Sequence, residues 1–201
     1  TGTSQGVPVI ACDCIVCKST DYKDKRLRSS ILIEVEGRHI IVDTGPDFRY
    51  QMLRANIQHL DAILMTHSHK DHIAGLDDVR AFNYKQNESI SIYTNEPTLE
   101  ALKREFYYAF SPLKYPGVPQ LDLEEIHAGQ PLFLFGHEIM PIEVMHYKMP
   151  VLGFRIGNFA YITDAKSVTL ESRQLLEGVD VLVVNALQEM PHISHFTLDE
   201  A

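Results

Sequence analysis

The sequence contains no tryptophan and only three cysteines among its 201 residues. All three cysteines lie between positions 12 and 17, so a disulfide cannot join distant segments of the chain. Two other features are also missing: an apolar stretch long enough to span a membrane, and a signal-peptide pattern. These absences argue against a disulfide-stabilised secreted protein and against an integral membrane protein. The expected environment is the reducing cytoplasm.

Positive charge is scarce as well. The chain has 18 Lys and Arg residues against 27 Asp and Glu residues, which gives a formal net charge of −9, and no run of basic residues occurs. An acidic protein is a poor match for a long nucleic-acid backbone, although a local basic patch would not appear in the total. The composition therefore disfavours nucleic acid as a partner without excluding it.

Short apolar strands and helices alternate along the chain, without internal repeats. Strands are predicted over residues 31–35, 39–42, 62–65, 90–93, 154–156, 159–163 and 181–184, with hairpin turns at Gly37, Gly136 and Gly157. Helices are predicted over residues 72–84, 98–108 and 169–176. With a hydrophobic content of 45%, this pattern predicts one globular domain over residues 1–201, of the α+β class, with layered sheets and helices outside.

Both ends of the chain are expected to be truncated. The sequence begins without an initiator Met and stops shortly after Thr197 and Glu200, whose spacing is that of a capping box at a helix start. A helix cannot persist on a single turn because nucleation is costly. We therefore expect the C-terminal part of the domain to lie beyond Ala201, together with any ligand that it supplies.

The segment Thr66-His-Ser-His-Lys-Asp-His72 carries four metal-binding side chains within six residues, directly after an apolar strand. Residue frequencies give such a run roughly once in a thousand chains by chance. In an extended loop His67 and His69 point the same way and can share one ion, while the following turn brings Asp71 and His72 to a second position. Imidazole and carboxylate suit zinc, manganese or iron. The run predicts a metal site, with two half-sites rather than one closed shell.

Two further ligands are predicted at strand ends. His146 ends an apolar-alternating stretch, and Asp164 ends the strand that begins at position 159. Such residues are usually turn residues, but a metal-binding run upstream favours the interpretation as ligands on rigid elements. His127 and His137 lie in loop and hairpin-turn contexts and are expected to be solvated. We interpret His39 and His59 in the same way.

The cysteines form the pattern Cys12-x-Cys14-x2-Cys17, which places three thiols on one tight loop. Thiolates at this spacing suit zinc. The alternative is three reduced cysteines without a ligand. We interpret Cys12, Cys14 and Cys17 as ligands of a structural zinc ion.

The order of Asp43, the run from His67 to His72, His146 and Asp164 resembles the metallo-β-lactamase superfamily. The resemblance extends over nearly the whole chain, and the histidine run is its most specific element. It implies a four-layer αβ/βα sandwich with a two-metal site at one sheet edge. A further C-terminal histidine ligand of the family has no match before Ala201, in keeping with the expected truncation.

The resemblance also implies roles for these residues. One metal would be held by His67, His69 and His146, and the second by Asp71 and His72, with Asp164 bridging both. Asp43 would orient ligand imidazoles from behind the site. Two close zinc or manganese ions would lower the pKa of a bridging water and offset charge on the attacked centre. Asp71 is predicted to be a catalytic residue as well as a metal ligand.

His195 is the predicted general acid. It lies in Pro191-His-Ile-Ser-His-Phe-Thr197, two residues before the proposed helix cap, where a loop can face a substrate. The segment resembles the H-x-T element of the superfamily's phosphodiesterase branch, whose histidine protonates the leaving group. An ordinary loop histidine is the alternative, and His192 is a weaker candidate for the same role.

The predicted activity is hydrolysis of a small, cyclic phosphodiester. The cysteine cluster resembles that of the phosphodiesterase acting on phosphoribosyl cyclic phosphate, where it holds a structural zinc. The tRNA 3′-end endonucleases share the active site but bind RNA with a protruding basic arm, whereas aromatic residues outnumber Lys and Arg in residues 96–120 here. Cleavage of tRNA 3′ ends therefore stays open as an alternative to a small substrate. Thioester or lactone hydrolysis on the same metals, and a non-catalytic metal-stabilised interaction protein, stay open. The expected partner is a small phosphorylated substrate, and a homodimer is left open.

Overall fold

The computed structural model describes residues 3–113 and 115–201. The chain forms two compact units, of which the first contains the described parts of residues 1–93 and 97–124. The second unit contains residues 94–96 and 125–201. Each unit has its own sheet. The prediction of a single domain over residues 1–201 stays a prediction.

The first unit contains a five-stranded sheet whose strands follow one another in chain order. The strands are β1 (Ile31–Val35), β2 (Arg38–Val42), β3 (Ala62–Leu64), β4 (Ile90–Thr94) and β5 (Leu121–Glu125). Strands β1 and β2 form the predicted antiparallel hairpin, and β2, β3 and β4 are parallel. Because parallel strands end at the same sheet edge, the residues that follow β2 and β3 become neighbours there.

The helices of this part of the chain are short. They are α1 (Ile15–Lys18), α2 (Phe48–Ala55), α3 (Lys70–Ile73), α4 (Arg80–Gln86), α5 (Glu96–Glu105) and α6 (Tyr107–Phe110), with 3-10 turns at Tyr22–Asp24 and Leu76–Val79. The strand residues Ala62, Ile63 and Leu64 are at most 1% exposed, as expected for a parallel strand covered on both faces.

The single helix predicted over residues 72–84 is wrong, because the segment breaks into α3, a 3-10 turn and α4. The break lies near Gly75, whose N–H donates to the carbonyl oxygen of Thr44 over 2.8 Å. A Cβ at Gly75 would overlap the carbonyl oxygen of Gly45. The interruption is therefore set by a neighbouring loop that the local sequence pattern does not reveal.

The second unit contains a six-stranded sheet in the order β10-β7-β8-β9-β11, with β6 paired to β7. Its elements are β6 (Leu132–Leu134), β7 (His137–His146), β8 (Met149–Ile156), β9 (Phe159–Tyr161), β10 (Ser167–Val168), α7 (Leu170–Leu175) and β11 (Val181–Val183). The predicted hairpin turns at Gly136 and Gly157 are confirmed. The predicted helix near residues 169–176 is confirmed as α7, which Thr169 caps by accepting from the Ser172 N–H over 3.1 Å.

The capping box at the end of the sequence is also present. The N–H of Thr197 donates to Glu200 Oε2 over 2.9 Å, and the N–H of Glu200 donates to Thr197 Oγ1 over 3.2 Å. Within the described ranges, no helix is both long and apolar enough to cross a bilayer.

Candidate metal centre

The histidine run begins just after β3 and passes directly into α3. His67 and His72 are each 1% exposed, whereas His69, just before α3, is exposed. The ring centroids of His67 and His69 lie 4.7 Å apart, and those of His67 and His72 lie 4.1 Å apart. The structure therefore brings the three imidazoles of the run together.

Behind this cluster, the buried carboxylate of Asp43 organises two of the imidazoles. It accepts from the Thr66 N–H over 2.8 Å, from the Thr66 hydroxyl over 2.8 Å, and from His72 Nδ1 over 2.7 Å. A carboxylate only accepts, so His72 carries its proton on Nδ1. The Thr66 hydroxyl has already donated, so it accepts from His67 Nδ1 over 2.9 Å. Both rings therefore keep the lone pair of Nε2 for a metal.

Thr66 was missed by the sequence analysis. Its hydroxyl connects Asp43 to His67, and its side chain is fully buried. The only signal in the sequence is its position, between a buried strand and the first histidine of the run. That position does not by itself distinguish a hydrogen-bonding threonine from an ordinary strand end.

The loop after β2 holds Asp43 in place. Asp43 has a left-handed backbone conformation with φ of 64°, and its N–H donates to the carbonyl oxygen of Leu64 over 3.0 Å. The next N–H, that of Thr44, donates to the carbonyl oxygen of His72 over 2.8 Å. A Cβ at Gly45 would overlap the carbonyl oxygen of Asp71, so only glycine allows this approach. These contacts fix the loop after β2 against α3.

Asp71 lies in the first turn of α3 and is partly buried. Its Oδ2 lies 3.4 Å from His72 Nε2, the ring atom left for a metal. A carboxylate and an imidazole nitrogen at this distance match the ligand pair predicted for one divalent ion.

The second unit also contains a group of side chains that could bind a metal. His146 ends β7, Asp164 follows β9, and His195 lies in the loop before the capping box. Their ligand atoms all lie within 4.8 Å of one another. His146 Nδ1 lies 2.8 Å from the carbonyl oxygen of Ser194 and donates to it, which leaves Nε2 for a metal.

Backbone hydrogen bonds fix the loop that carries His195. The N–H of Phe196 donates to the carbonyl oxygen of Ala165 over 2.8 Å, and the N–H of Leu187 donates to the carbonyl oxygen of Phe196 over 2.9 Å. The ring of His195 lies 4.6 Å from that of His146. His195 is therefore held beside predicted ligands, where it can act either as a ligand or as a proton donor. The ring centroid of His192, the weaker candidate, lies 5.1 Å from that of His195.

The three cysteines are free thiols whose sulfur atoms lie within 4.8 Å of one another. The N–H of Cys17 donates to the Cys14 sulfur. This hydrogen bond, followed by a smaller contribution from the Cys12 thiol, lowers the pKa of Cys14 to about 7. The N–H of Val9 lowers the pKa of Cys17, but the neighbouring thiols and burial outweigh it and raise that pKa. One sulfur thus ionises readily and sits beside thiols that a metal would have to deprotonate, which fits a zinc-binding loop.

Comparison with known proteins agrees with the fold. The model of the Beta-lactamase superfamily domain matches residues 38–201. The structure of a diphosphatase from the PhnP family is 41% identical with a TM-score of 0.91, covering 100% of this chain and 76% of that one. Zinc-bound PqqB from Methylobacterium extorquens shares the fold at 20% identity and a TM-score of 0.73, covering 94% of this chain and 72% of that one.

One curated relative is named for a different activity from that of the diphosphatase. An octanoyltransferase of Porphyromonas gingivalis (strain ATCC BAA-308 / W83) is 38% identical over 203 residues, which cover 100% of this chain. The chain spans only 41% of the length of that relative. The superfamily model, by contrast, covers most of the chain and includes the histidine run, His146 and Asp164. This protein belongs to the metallo-β-lactamase superfamily, with the fold of the PhnP-like branch.

Proposed function

We propose that this chain is a metal-dependent hydrolase that cleaves a small, cyclic phosphodiester. The observation that carries the proposal is the network from Asp43 through Thr66, which leaves Nε2 of both His67 and His72 for a metal. A buried histidine needed only for packing has no requirement for this arrangement of protons. The similarity to the PhnP-family diphosphatase supports chemistry at phosphorus.

We assign ligands to two divalent ions, zinc or manganese. The family pattern supports one ion on His67, His69 and His146, a second on Asp71 and His72, and Asp164 as the bridge. The donor sets fit, since imidazole and carboxylate suit both metals. The assignment predicts that His67→Ala and His146→Ala each lower the metal content per chain.

When bound, two such ions supply an acidified water and offset negative charge on the phosphoryl group. The chain must still protonate the leaving oxygen. We assign this step to His195, which the bonds of Phe196 and Leu187 hold in position. His195→Ala should lower kcat by about 10²- to 10⁴-fold while metal content stays unchanged. Loss of metal in this variant would instead make His195 a ligand.

The segment around α5 and α6 supports a small substrate over RNA. Phe106 and Ala109 are buried in the hydrophobic core of the first unit, and the Tyr108 hydroxyl donates to Asp77 over 2.7 Å. Lys103 pairs with Glu100 over 2.8 Å. These side chains pack or pair locally, so the described part of the segment does not present a basic arm.

The proposal is tested by loading the protein with Mn²⁺ or Zn²⁺ and measuring turnover of a substrate panel. The panel contains bis(p-nitrophenyl) phosphate, a ribose cyclic phosphate, a nucleoside diphosphate, a precursor tRNA, a thioester and a lactone. We expect the cyclic phosphodiester to give the highest kcat/KM. A preference for the diphosphate would instead identify the activity as phosphoanhydride cleavage. A preference for tRNA, thioester or lactone would contradict the proposed phosphodiesterase activity and identify that substrate class instead.

The outcome that contradicts catalysis altogether is a full metal complement with no turnover of any substrate. His127→Ala is the matched control for substitutions of histidine ligands. Its side chain is exposed and lies 3.6 Å from Glu125, outside every ligand group described above. Its turnover should equal that of the unsubstituted protein.

We also propose that Cys12, Cys14 and Cys17 bind a structural zinc ion. The proximity of three sulfurs and the pKa of Cys14 of about 7 support this role. No fourth donor joins this group among residues 3–113 and 115–201. After dialysis, Cys14→Ser should retain one zinc ion per chain fewer than the unsubstituted protein.

A further inference from the structure

A second cluster of metal-binding side chains lies at the opposite end of the parallel strands from the histidine run. His39 is near the start of β2, and Asp61 directly precedes β3, whereas Asp43 and His67 lie beyond the other ends of these strands. The N–H of Asp61 donates to the carbonyl oxygen of His39 over 2.9 Å. With roughly 3.3 Å per strand residue, the two clusters are separated along the sheet rather than merged.

His39 is not the solvated residue that its loop context predicts. Its side chain is 15% exposed, and its ring centroid lies 4.4 Å from that of His59. Nδ1 of His39 lies 3.1 Å from the carbonyl oxygen of His59 and donates to it. This bond fixes the tautomer and leaves the lone pair of Nε2, as at ligand histidines in metal sites. The sequence expectation for His39 is therefore wrong.

Asp61 completes the cluster. Its side chain is only 9% exposed, and one of its oxygens lies within 4.8 Å of one ring nitrogen of His39 and one of His59. Burial raises its pKa, but hydrogen bonds from the His39 N–H and from Arg38 outweigh it and hold the pKa below its usual value. Asp61 Oδ2 accepts from the His39 N–H over 2.7 Å, and Asp61 Oδ1 accepts from Arg38 over 2.8 Å, so hydrogen bonds hold the carboxylate in place.

Two neighbours complete the surroundings. Glu34 is the cross-strand partner of His39, and its carboxylate lies 3.6 Å from His39 Nε2. Arg38 lies 2.8 Å from Asp61 Oδ1, which leaves Oδ2 turned toward His59 at 3.1 Å. The arrangement therefore contains two imidazoles, one carboxylate and a second carboxylate within reach.

We propose that His39, His59 and Asp61 form a binding site for a divalent transition metal, with Glu34 as a fourth donor. Two imidazoles with carboxylate oxygens favour Zn²⁺, Cu²⁺ or Ni²⁺ over Mg²⁺ or Ca²⁺. The ligands come from two segments, since His39 is on the β1–β2 hairpin and His59 and Asp61 are on the segment between α2 and β3. A bound ion cross-links these segments.

The site requires one rearrangement that limits its affinity. His59 Nε2 lies 3.1 Å from the carbonyl oxygen of Gly37 and 3.1 Å from Asp61 Oδ2. A metal must displace the proton that this nitrogen shares with them. We therefore expect weaker binding here than at the cysteine cluster, and an ion that exchanges during dialysis against a chelator.

The test counts Zn²⁺ on tag-free protein at controlled free Zn²⁺, by equilibrium dialysis and elemental analysis. We expect His59→Ala to bind one ion per chain fewer than the unsubstituted protein, while His127→Ala binds the same number. Hydrolase turnover should be equal in all three proteins. If His59→Ala bound as much Zn²⁺ as the unsubstituted protein, the proposal would be wrong and the cluster would be an ion-pair network only.

A spectroscopic measurement keeps the test independent of folding defects. With one equivalent of Cu²⁺ added after the other sites are filled with Zn²⁺, electron paramagnetic resonance should show nitrogen coupling from two imidazoles. His59→Gln, which keeps a polar side chain at this half-exposed position, should show one. A spectrum without imidazole nitrogen in the unsubstituted protein would contradict the site.

Discussion

The histidine run and the cysteine loop are both compact ligand clusters in the first unit, yet they are held in different ways. His67 and His72 are 1% exposed and are oriented by the buried carboxylate of Asp43 and the hydroxyl of Thr66. The cysteine loop continues into α1, which contains no buried residue. Its sulfurs accept from two backbone N–H groups, those of Cys17 and Val9.

The two clusters therefore differ in what holds their side chains in position. At the histidine run, hydrogen bonds to Asp43 and Thr66 orient two of the rings, so we expect a metal to find these proposed ligands in place. At the cysteine loop there is little core to fix the backbone, so the proposed zinc ion would have to hold the sulfurs together. Removal of metal should therefore abolish activity at the first cluster and abolish local order at the second.

The largest expected effect is that of removing a ligand from the organised cluster. His67→Ala should reduce phosphodiester turnover to the level of metal-free protein, because the ion loses a buried imidazole that the network holds in place. Turnover and metal content measured together check this. The far-ultraviolet circular dichroism should stay unchanged, and His127→Ala should behave like the unsubstituted protein. Full activity of His67→Ala would remove the run from the site.

The next effect tests whether Asp43 does the organising. Asp43→Asn keeps the size of the side chain but replaces one acceptor oxygen by a donor, which opposes the donated proton of His72 Nδ1. Loss of such a supporting group typically weakens metal affinity by about 10- to 100-fold. Competition with a fluorescent zinc chelator measures it. Unchanged affinity would show that the rings need no support from behind.

The sequence predicted the histidine run and the hairpins because these depend on local spacing. The interpretation of the run as a metal site needs only the alternation of side chains after a buried strand. The turns at Gly136 and Gly157 are predicted by their glycine residues. Two strands were missed because they carry little signal: β5 holds two apolar residues among five, and β10 has two residues in all. For α2, the four-residue spacing of Phe48 and Met52, both buried, was a signal that could have been used.

The remaining features depend on residues that are distant in sequence. Asp43 and Thr66 are 23 positions apart, and their bond exists because β2 and β3 are parallel neighbours. The same holds for His39, whose burial comes from Asp61 and His59 on another segment. Local spacing therefore identifies which side chains can bind metal, but the tautomer of each ring depends on tertiary contacts.

A smaller effect is expected when the cysteine loop is changed. Cys14→Ser should lose its zinc and change phosphodiester turnover by less than about twofold, since the histidine run is organised without it. Zinc content by elemental analysis and kcat/KM check the two halves of this statement. Protease digestion should cut the loop near α1 faster than in the unsubstituted protein. A large loss of activity in Cys14→Ser would break the comparison by showing that the two clusters depend on each other.

The smallest effect concerns the thiols themselves, in zinc-free protein. The pKa of Cys14 is lowered to about 7, whereas that of Cys17 is raised. The thiolate is the nucleophile, so iodoacetamide should modify Cys14 first, with a rate that falls as the pH drops below about 7. Peptide mass spectrometry over a pH series locates the modified residue. Bound zinc should protect all three cysteines, because ligated sulfurs are not free to attack. If Cys17 reacted first, the backbone N–H groups would not control the sulfurs, and the metal alone would decide how this loop behaves.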